Sequence, residues 1–278
     1  RAIEALAICA DKLRRAAPDL ARAVATAACR QAANGGEFAD RARAATGLEL
    51  EIIGPDEEAR LAVSGCGPLV DPEAERLLVF DIGGGSTELV LLDLSDIAPE
   101  KRAGAVRAVR REAGPARIVD WVSIPVGVAS LTDKFAEISD PARRFGLMTW
   151  YFEELIESFA TGVAAEARPP LQIIGASGSV TTIGAAHLGL RRYDRSRVDG
   201  LWLPIAAARR IAREIASLPE EARAQHPSIG ADRARLVVAS SAILSAILAV
   251  FPAEKLRVAD RGLREGLIYT QAELAGAA

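Results

Sequence analysis

The stretch Leu77–Asp93, LLVFDIGGGSTELVLLD, sets two short apolar runs around an acid, three glycines, two hydroxyls and a second acid. Successive glycines let neighbouring backbone N–H groups point into one concavity, with no Cβ to keep an anion away. Asp81, at the end of a buried strand, is costly to bury without a cation or several hydrogen bonds. Ser86 and Thr87 add hydroxyl donors, and a tight hairpin would bring Asp81 and Glu88 to one mouth. Together these groups suit a phosphate cradle under a hard divalent ion, Mg²⁺ held by one or two carboxylates and waters. A glycine-rich hairpin with an acid as turn former is the plainer reading. Asp, triple Gly, Ser/Thr and Glu inside one strand pair outweigh it.

A second turn, Gly175-Ala-Ser-Gly-Ser, follows the apolar run Leu171–Ile174 and precedes a helical pattern. Glycine-rich entries to helices bind anions through free N–H groups and the helix dipole. Alone the signal is weak, because Ser177 or Ser179 could simply cap the helix. Beside the first turn it suggests a second phosphate-holding wall, with Gly175, Ser177 and Gly178 in contact with substrate.

The elements that must position these turns alternate between strand and helix. Apolar spacing predicts a helix over 2–16, a short strand over 22–26 and a helix over 27–34 ended by Asn34-Gly-Gly. A helix over 37–46 stops at Gly47, residues 48–53 read as a strand, and Asp56 is a plausible N-cap for a helix over 57–63. Strands over 77–82 and 88–93 flank the glycine turn. The polar stretch 95–116 reads as a surface excursion, partly helical. A strand resumes over 121–126, helices follow near 127–138, 141–161, 180–189, 205–217 and 232–250, and a strand over 256–259 leads into a terminal helix from about Gly262. Such alternation argues an α/β fold.

Composition narrows the function classes. With 278 residues, half of them hydrophobic, the chain can bury a sizeable core. A net charge of −3 gives no broad basic surface, which argues against nucleic acid as the main partner. Three scattered cysteines form neither a disulfide framework nor a metal cluster, so a reducing, cytoplasmic setting is the default. His187 and His226 are too few for a histidine metal site. The strongly apolar run 236–251 falls short of the roughly 20 residues a membrane span needs.

Asp81-Ile-Gly-Gly-Gly-Ser-Thr-Glu88 resembles the second phosphate motif of the actin/Hsp70/sugar-kinase superfamily, in the form used by the exopolyphosphatase/guanosine pentaphosphate phosphatase (Ppx/GppA) family. Ala25-Thr-Ala-Ala-Cys-Arg-Gln-Ala-Ala-Asn34, Ile53-Gly-Pro-Asp-Glu-Glu-Ala-Arg60, Pro125-Val-Gly127, Gly175-Ala-Ser-Gly178 and Val258-Ala-Asp-Arg-Gly-Leu-Arg-Glu-Gly266 match that family in order. The resemblance implies two actin-like (ribonuclease H-like) domains around a cleft. They would be 1–74, with the terminal helix 267–278 packing on it, and 75–266. It implies a catalytic base in the Glu57-Glu58 pair, Glu58 being the better match. Arg30 would bind substrate phosphate, Asp81 and Glu88 would hold Mg²⁺, and the amides of Gly83 and Gly84 with Gly85, Ser86 and Thr87 would hold the phosphate.

The family's opening strand and Asp-x-Gly-Thr-Asn-Ser-type turn have no counterpart after Arg1. The first domain is therefore expected to be incomplete, with an N-terminal segment missing and an exposed sheet edge that favours association, for instance as a homodimer. The implied activity is Mg²⁺-dependent hydrolysis of the terminal phosphoanhydride of inorganic polyphosphate. Guanosine pentaphosphate is the rival substrate. A sensor that binds guanosine penta- or tetraphosphate, or polyphosphate, without turnover is the alternative from another class.

Overall fold

The computed structural model describes residues 1–109, 116–167, 170–251 and 253–274. The chain forms two compact units, Arg1–Glu58 with the end of the last helix from Gln271, and Ala59–Thr270. The first border falls inside a helix, whereas the sequence reading draws it at 74/75.

In the first unit, α1 (Ala2–Ala16), β1 (Ala23–Ala25), α2 (Ala27–Gln31), α3 (Gly35–Thr46) and β2 (Leu50–Ile52) lead to the start of α4 (Pro55–Cys66). β1 and β2 pair in parallel, with Ala23, Val24 and Ala25 opposite Leu50, Glu51 and Ile52. Gly47 ends α3 at φ +76°, where the left-handed conformation favours glycine. Asn34-Gly35-Gly36 does not terminate a helix as expected but opens α3. A side chain at Gly35 would collide with the Cys29 carbonyl, so this glycine exists for close approach. Asp56 is likewise not a cap. α4 begins two residues earlier than expected, at Pro55, whose fixed φ and missing N–H suit the first helical position.

The second unit carries β3 (Arg76–Ile82), β4 (Thr87–Asp93), α5 (Arg102–Arg107), β5 (Arg117–Ile124), α6 (Val128–Lys134) and α7 (Pro141–Val163). β6 (Leu171–Ala176), α8 (Gly178–His187), α9 (Arg195–Val198), β7 (Trp202–Pro204) and α10 (Ile205–Ser217) follow. The unit continues through α11 (Glu220–Gln225), α12 (Val237–Val250), β8 (Lys255–Ala259) and into α13 (Leu263–Leu274). Its six strands run in the order β5-β4-β3-β6-β8-β7, with β3, β6 and β8 parallel and the others antiparallel to their neighbours. Strand alternation sends Leu78, Phe80, Leu89 and Leu91 to one face, in a core with Phe152 of α7, Ile211 of α10 and Ile243 of α12. Leu77, Val79, Val90 and Leu92 pack on the other face with Val63, Cys66, Ala105 and Val106. Both faces being covered explains why β3 and β4 read as unbroken apolar runs.

The stretch after β4 departs from the surface excursion expected of it. Arg102, Ala105, Val106 and Val109 are buried, and the Arg102 guanidinium donates to the carbonyls of Ile97 and Pro72. Charges at both ends, Glu100 to Arg102 and Arg107, disguise a short core helix between them. Residues 110–115 of that stretch lie outside the described residues.

The hairpin end far from the glycine turn is closed by charge. Arg76 donates to Asp93 Oδ1 at 2.6 Å, and Arg117 donates to its other oxygen. Burial pushes the Asp93 carboxyl up, but the Ser95 hydroxyl and amide together with Arg117 and Arg76 hold it at about 2. A depressed carboxylate stabilises the fold above its unfolded value near 4, and that contribution fades as pH falls through about 2. Asp93→Asn leaves the buried Arg76 with the longer contact to the partly exposed Glu166, at 3.2 Å, as its remaining ion pair, and is expected to cost about 3 kcal/mol at pH 7. Urea midpoints of the two proteins should converge as pH drops below 4; a gap that is constant with pH would show that the charge contributes nothing.

Candidate active site

The β3–β4 register sets Asp81 directly opposite Glu88, and Ile82 opposite Thr87. Directly opposed residues share one face of a hairpin with Cβ atoms about 5 Å apart, so both carboxylates stand on the same side. Glu88 is buried, and its Oε1 accepts the Ser123 hydroxyl at 2.8 Å from β5. The Gly83 amide donates to the Ser86 carbonyl at 2.9 Å and closes the turn. That corrects the expectation for Gly83, whose N–H is engaged by the hairpin and not open to a ligand. Among the described residues, no hydrogen bond uses the amides of Gly84, Gly85 or Ser86. The amides left without an internal bond are therefore those of Gly84, Gly85 and Ser86.

The turn is held from behind by the entry to α6. Val128 and Ala129 donate their amides to the carbonyls of Gly83 and Gly84 at 3.0 and 2.9 Å. Gly127 lies against the same carbonyls: a Cβ on it would stand 2.5 Å from Gly84 C and 2.6 Å from Gly83 O. Thr87 is fully buried and donates its hydroxyl to Val126 O at 2.9 Å. Thr87 thus belongs to the frame of the turn, a correction to its expected place against substrate.

Gly175 needs a similar correction. It lies inside β6, where a Cβ would meet the Phe80 ring at 2.5 Å, so its role is packing. Ser177 caps α8, its Oγ accepting from the amides of Ser179 and Val180 at 3.0 and 3.1 Å. Two of the amides expected to face an anion are therefore satisfied within the chain. Even so, β3 and β6 are parallel neighbours with Asp81 opposite Ala176, so both turns leave the same end of the sheet. Asp81, Ser177 and Gly178 line one cavity of about 180 Å³ with Asp260, Arg261 and Arg264. Arg261 is fixed in an ion pair with Asp199, its Nε donating to both carboxylate oxygens and its Nη2 to Oδ2, which holds its guanidinium charged. Glu265 accepts from the Gly262 amide and Arg195 and is held below the usual carboxylate range despite burial.

Asp81 and Glu88 are both hard oxygen donors, a set that suits Mg²⁺ coordinated through two carboxylates and waters. Among the described residues no cluster of three or more His, Cys, Asp or Glu side chains is arranged to hold a metal ion. Cys66 is buried, and burial together with the Asp81 charge pushes its thiol up, so it is an inert core residue.

In the first unit each expected glutamate has its own arginine. Arg30 Nη1 donates to Glu58 Oε2 at 2.7 Å and to the Ile53 carbonyl at 2.9 Å. The Nε/Nη2 edge of Arg30 is used by no hydrogen bond among the described residues, which leaves the fork that suits phosphate oxygens. Glu58 is 9 % exposed. Glu57 is bound instead by Arg22, whose Nη2 reaches its Oε1 at 2.7 Å. Nothing local in the sequence marks Arg22, whose partners Glu51 and Glu57 lie 29 and 35 residues away. Gly127 lies in the Pro125-Val-Gly127 match, which by itself assigns it no role, and nothing in the sequence marks Ser123.

A model of the Ppx/GppA phosphatase family matches residues 1–275. Among curated proteins the chain is 26 % identical over 253 residues to "Exopolyphosphatase 1" of Mycobacterium leprae, covering 88 % of this chain and 66 % of that protein. To the protein of the same name from Mycobacterium tuberculosis it is 27 % identical over 248 residues, covering 88 % and 65 %. The chain thus spans just under two thirds of the length of these relatives. A solved exopolyphosphatase-like protein superposes with a TM-score of 0.82 at 26 % identity, covering 98 % of this chain and 83 % of that one. A Ppx/GppA family member from Aquifex aeolicus gives 0.75 at 25 % identity, covering 100 % and 82 %. The fold is that of these neighbours, the actin-like two-domain α/β fold. No helix among the described residues is long and apolar enough to cross a membrane.

Proposed function

The chain belongs to the Ppx/GppA phosphatase family, and from that membership we propose that it hydrolyses the terminal phosphoanhydride of inorganic polyphosphate. Water forms a bond to the terminal phosphorus, the bridging P–O bond breaks, and orthophosphate leaves a chain shortened by one unit. Glu58 takes the proton of the attacking water, while Arg30 keeps that carboxylate oriented through Nη1 and offers its other edge to phosphate. The amides of Gly84, Gly85 and Ser86 bind phosphate oxygens without losing internal hydrogen bonds. Asp81 and Glu88 would hold Mg²⁺, which when bound offsets charge on the phosphate oxygens. Such positioning and charge stabilisation account for most of the catalysis in phosphoryl transfer.

The observation that carries this reading is the register of Asp81 with Glu88 across a turn in which the amides of Gly84, Gly85 and Ser86 have no hydrogen-bond partner among the described residues. The names of the relatives support polyphosphate as the substrate. Phosphate release by the full-length gene product with Mg²⁺ tests it, using polyphosphate and guanosine pentaphosphate in parallel. Release from polyphosphate is the expected result. Release from the nucleotide alone would reassign the substrate, and tight binding of either without release would make the protein a sensor.

A further inference from the structure

Arg22, immediately before β1, has no part in the chemistry above, yet it pairs with two carboxylates at once. Its Nε and Nη2 donate to the two carboxylate oxygens of Glu51 on β2 at 2.8 and 2.7 Å, a parallel two-bond fork. The second proton of Nη2 goes to Glu57. The Arg22 side chain is 23 % exposed, and the Glu51 hydrogen bonds outweigh partial burial in keeping the guanidinium protonated.

The first turn of α4 carries three successive acids, Asp56, Glu57 and Glu58. Neighbouring helix residues point about 100° apart, so Glu57 and Glu58 diverge and can take different partners. They do: Glu57 goes to the arginine fixed on β2, and Glu58 to Arg30. Arg30 is the less anchored of the two, with one backbone carbonyl besides Glu58. If Glu57 were released, two adjacent carboxylates would compete for one guanidinium.

We propose that Arg22 is a positioning residue for hydrolysis: by tying Glu57 to β2 it reserves Arg30 for Glu58 and for the incoming phosphate. This rests on Glu58 being the base. Arg22→Gln in the full-length protein then lowers kcat for polyphosphate by about tenfold or more, as expected when a catalytic group is misplaced. Arg22→Lys, which keeps the charge but not the fork, gives a smaller loss. Adding Glu57→Gln to Arg22→Gln removes the competing carboxylate and recovers most of kcat, although it leaves fewer ionic contacts. A double variant no faster than Arg22→Gln would overturn the proposal, because a merely structural clamp behaves that way.

An activity-independent readout separates this from the function itself. Nitrogen-15 NMR of arginine side chains should show slowed rotation of the Arg30 guanidinium in the wild type, its loss in Arg22→Gln and its return in the double variant. An Arg30 signal unchanged by Arg22→Gln would overturn the positioning role. If the wild type releases no phosphate, the hydrolase reading falls, and the NMR series still decides what Arg22 does.

Discussion

Glu58→Gln lowers kcat for phosphate release by about 10²–10⁴-fold, the range typical of removing a general base, with KM nearly unchanged. Glutamine keeps the size of the side chain and an oxygen that can accept from Arg30 Nη1, so the contact at 2.7 Å has a replacement. What it cannot do is take a proton from water. Thermal unfolding of the variant should therefore stay close to wild type, which separates lost chemistry from lost fold. Glu57→Gln gives the informative contrast, since its carboxylate is already committed to Arg22. If both substitutions cost the same, the choice of Glu58 over Glu57 is wrong.

Gly127→Ala is the second large effect, and it acts without touching any ligand. The added Cβ meets backbone atoms of Gly83 and Gly84 at 2.5–2.6 Å, and backbone cannot swing aside like the end of a side chain. Either the β3–β4 turn or the entry to α6 must move. The two amide bonds from Val128 and Ala129 and the Thr87 hydroxyl bond to Val126 hold both in place. We expect a stability loss of about 1–3 kcal/mol from overpacking. A displacement of about 1 Å of the free amides should cost on the order of a hundredfold in kcat/KM. Calorimetry together with steady-state kinetics would check both. An unchanged kcat/KM would mean that the turn does not bind the reacting phosphate.

The parts of this design that sequence makes visible are local. The hairpin over 77–93 is legible because two apolar runs bracket a turn that only glycines allow, and Gly47 is legible because a helix stop needs a left-handed residue. Close approach is not legible. Gly35 and Gly175 looked like a helix stop and a phosphate contact, and both are glycine because Cys29 O and the Phe80 ring occupy the space of a Cβ. Hydroxyls are ambiguous for a related reason. Ser177 reads equally as a helix cap or a substrate contact, and its Oγ accepts from the Ser179 and Val180 amides, while the Thr87 hydroxyl donates to Val126 O. Burial hidden under charge misled once, at Arg102–Val109, where the long arginine stem covers apolar surface. The pairing of Arg22 with Glu51 and Glu57 required the fold itself, since no periodicity links a strand entry to a helix start.

The most direct test is a crystal of the full-length protein soaked with Mg²⁺ and pyrophosphate. The account predicts phosphate oxygens on the amides of Gly84, Gly85 and Ser86, and the metal on Asp81 and Glu88. Pyrophosphate bound elsewhere, with those three amides and both carboxylates untouched, would contradict it.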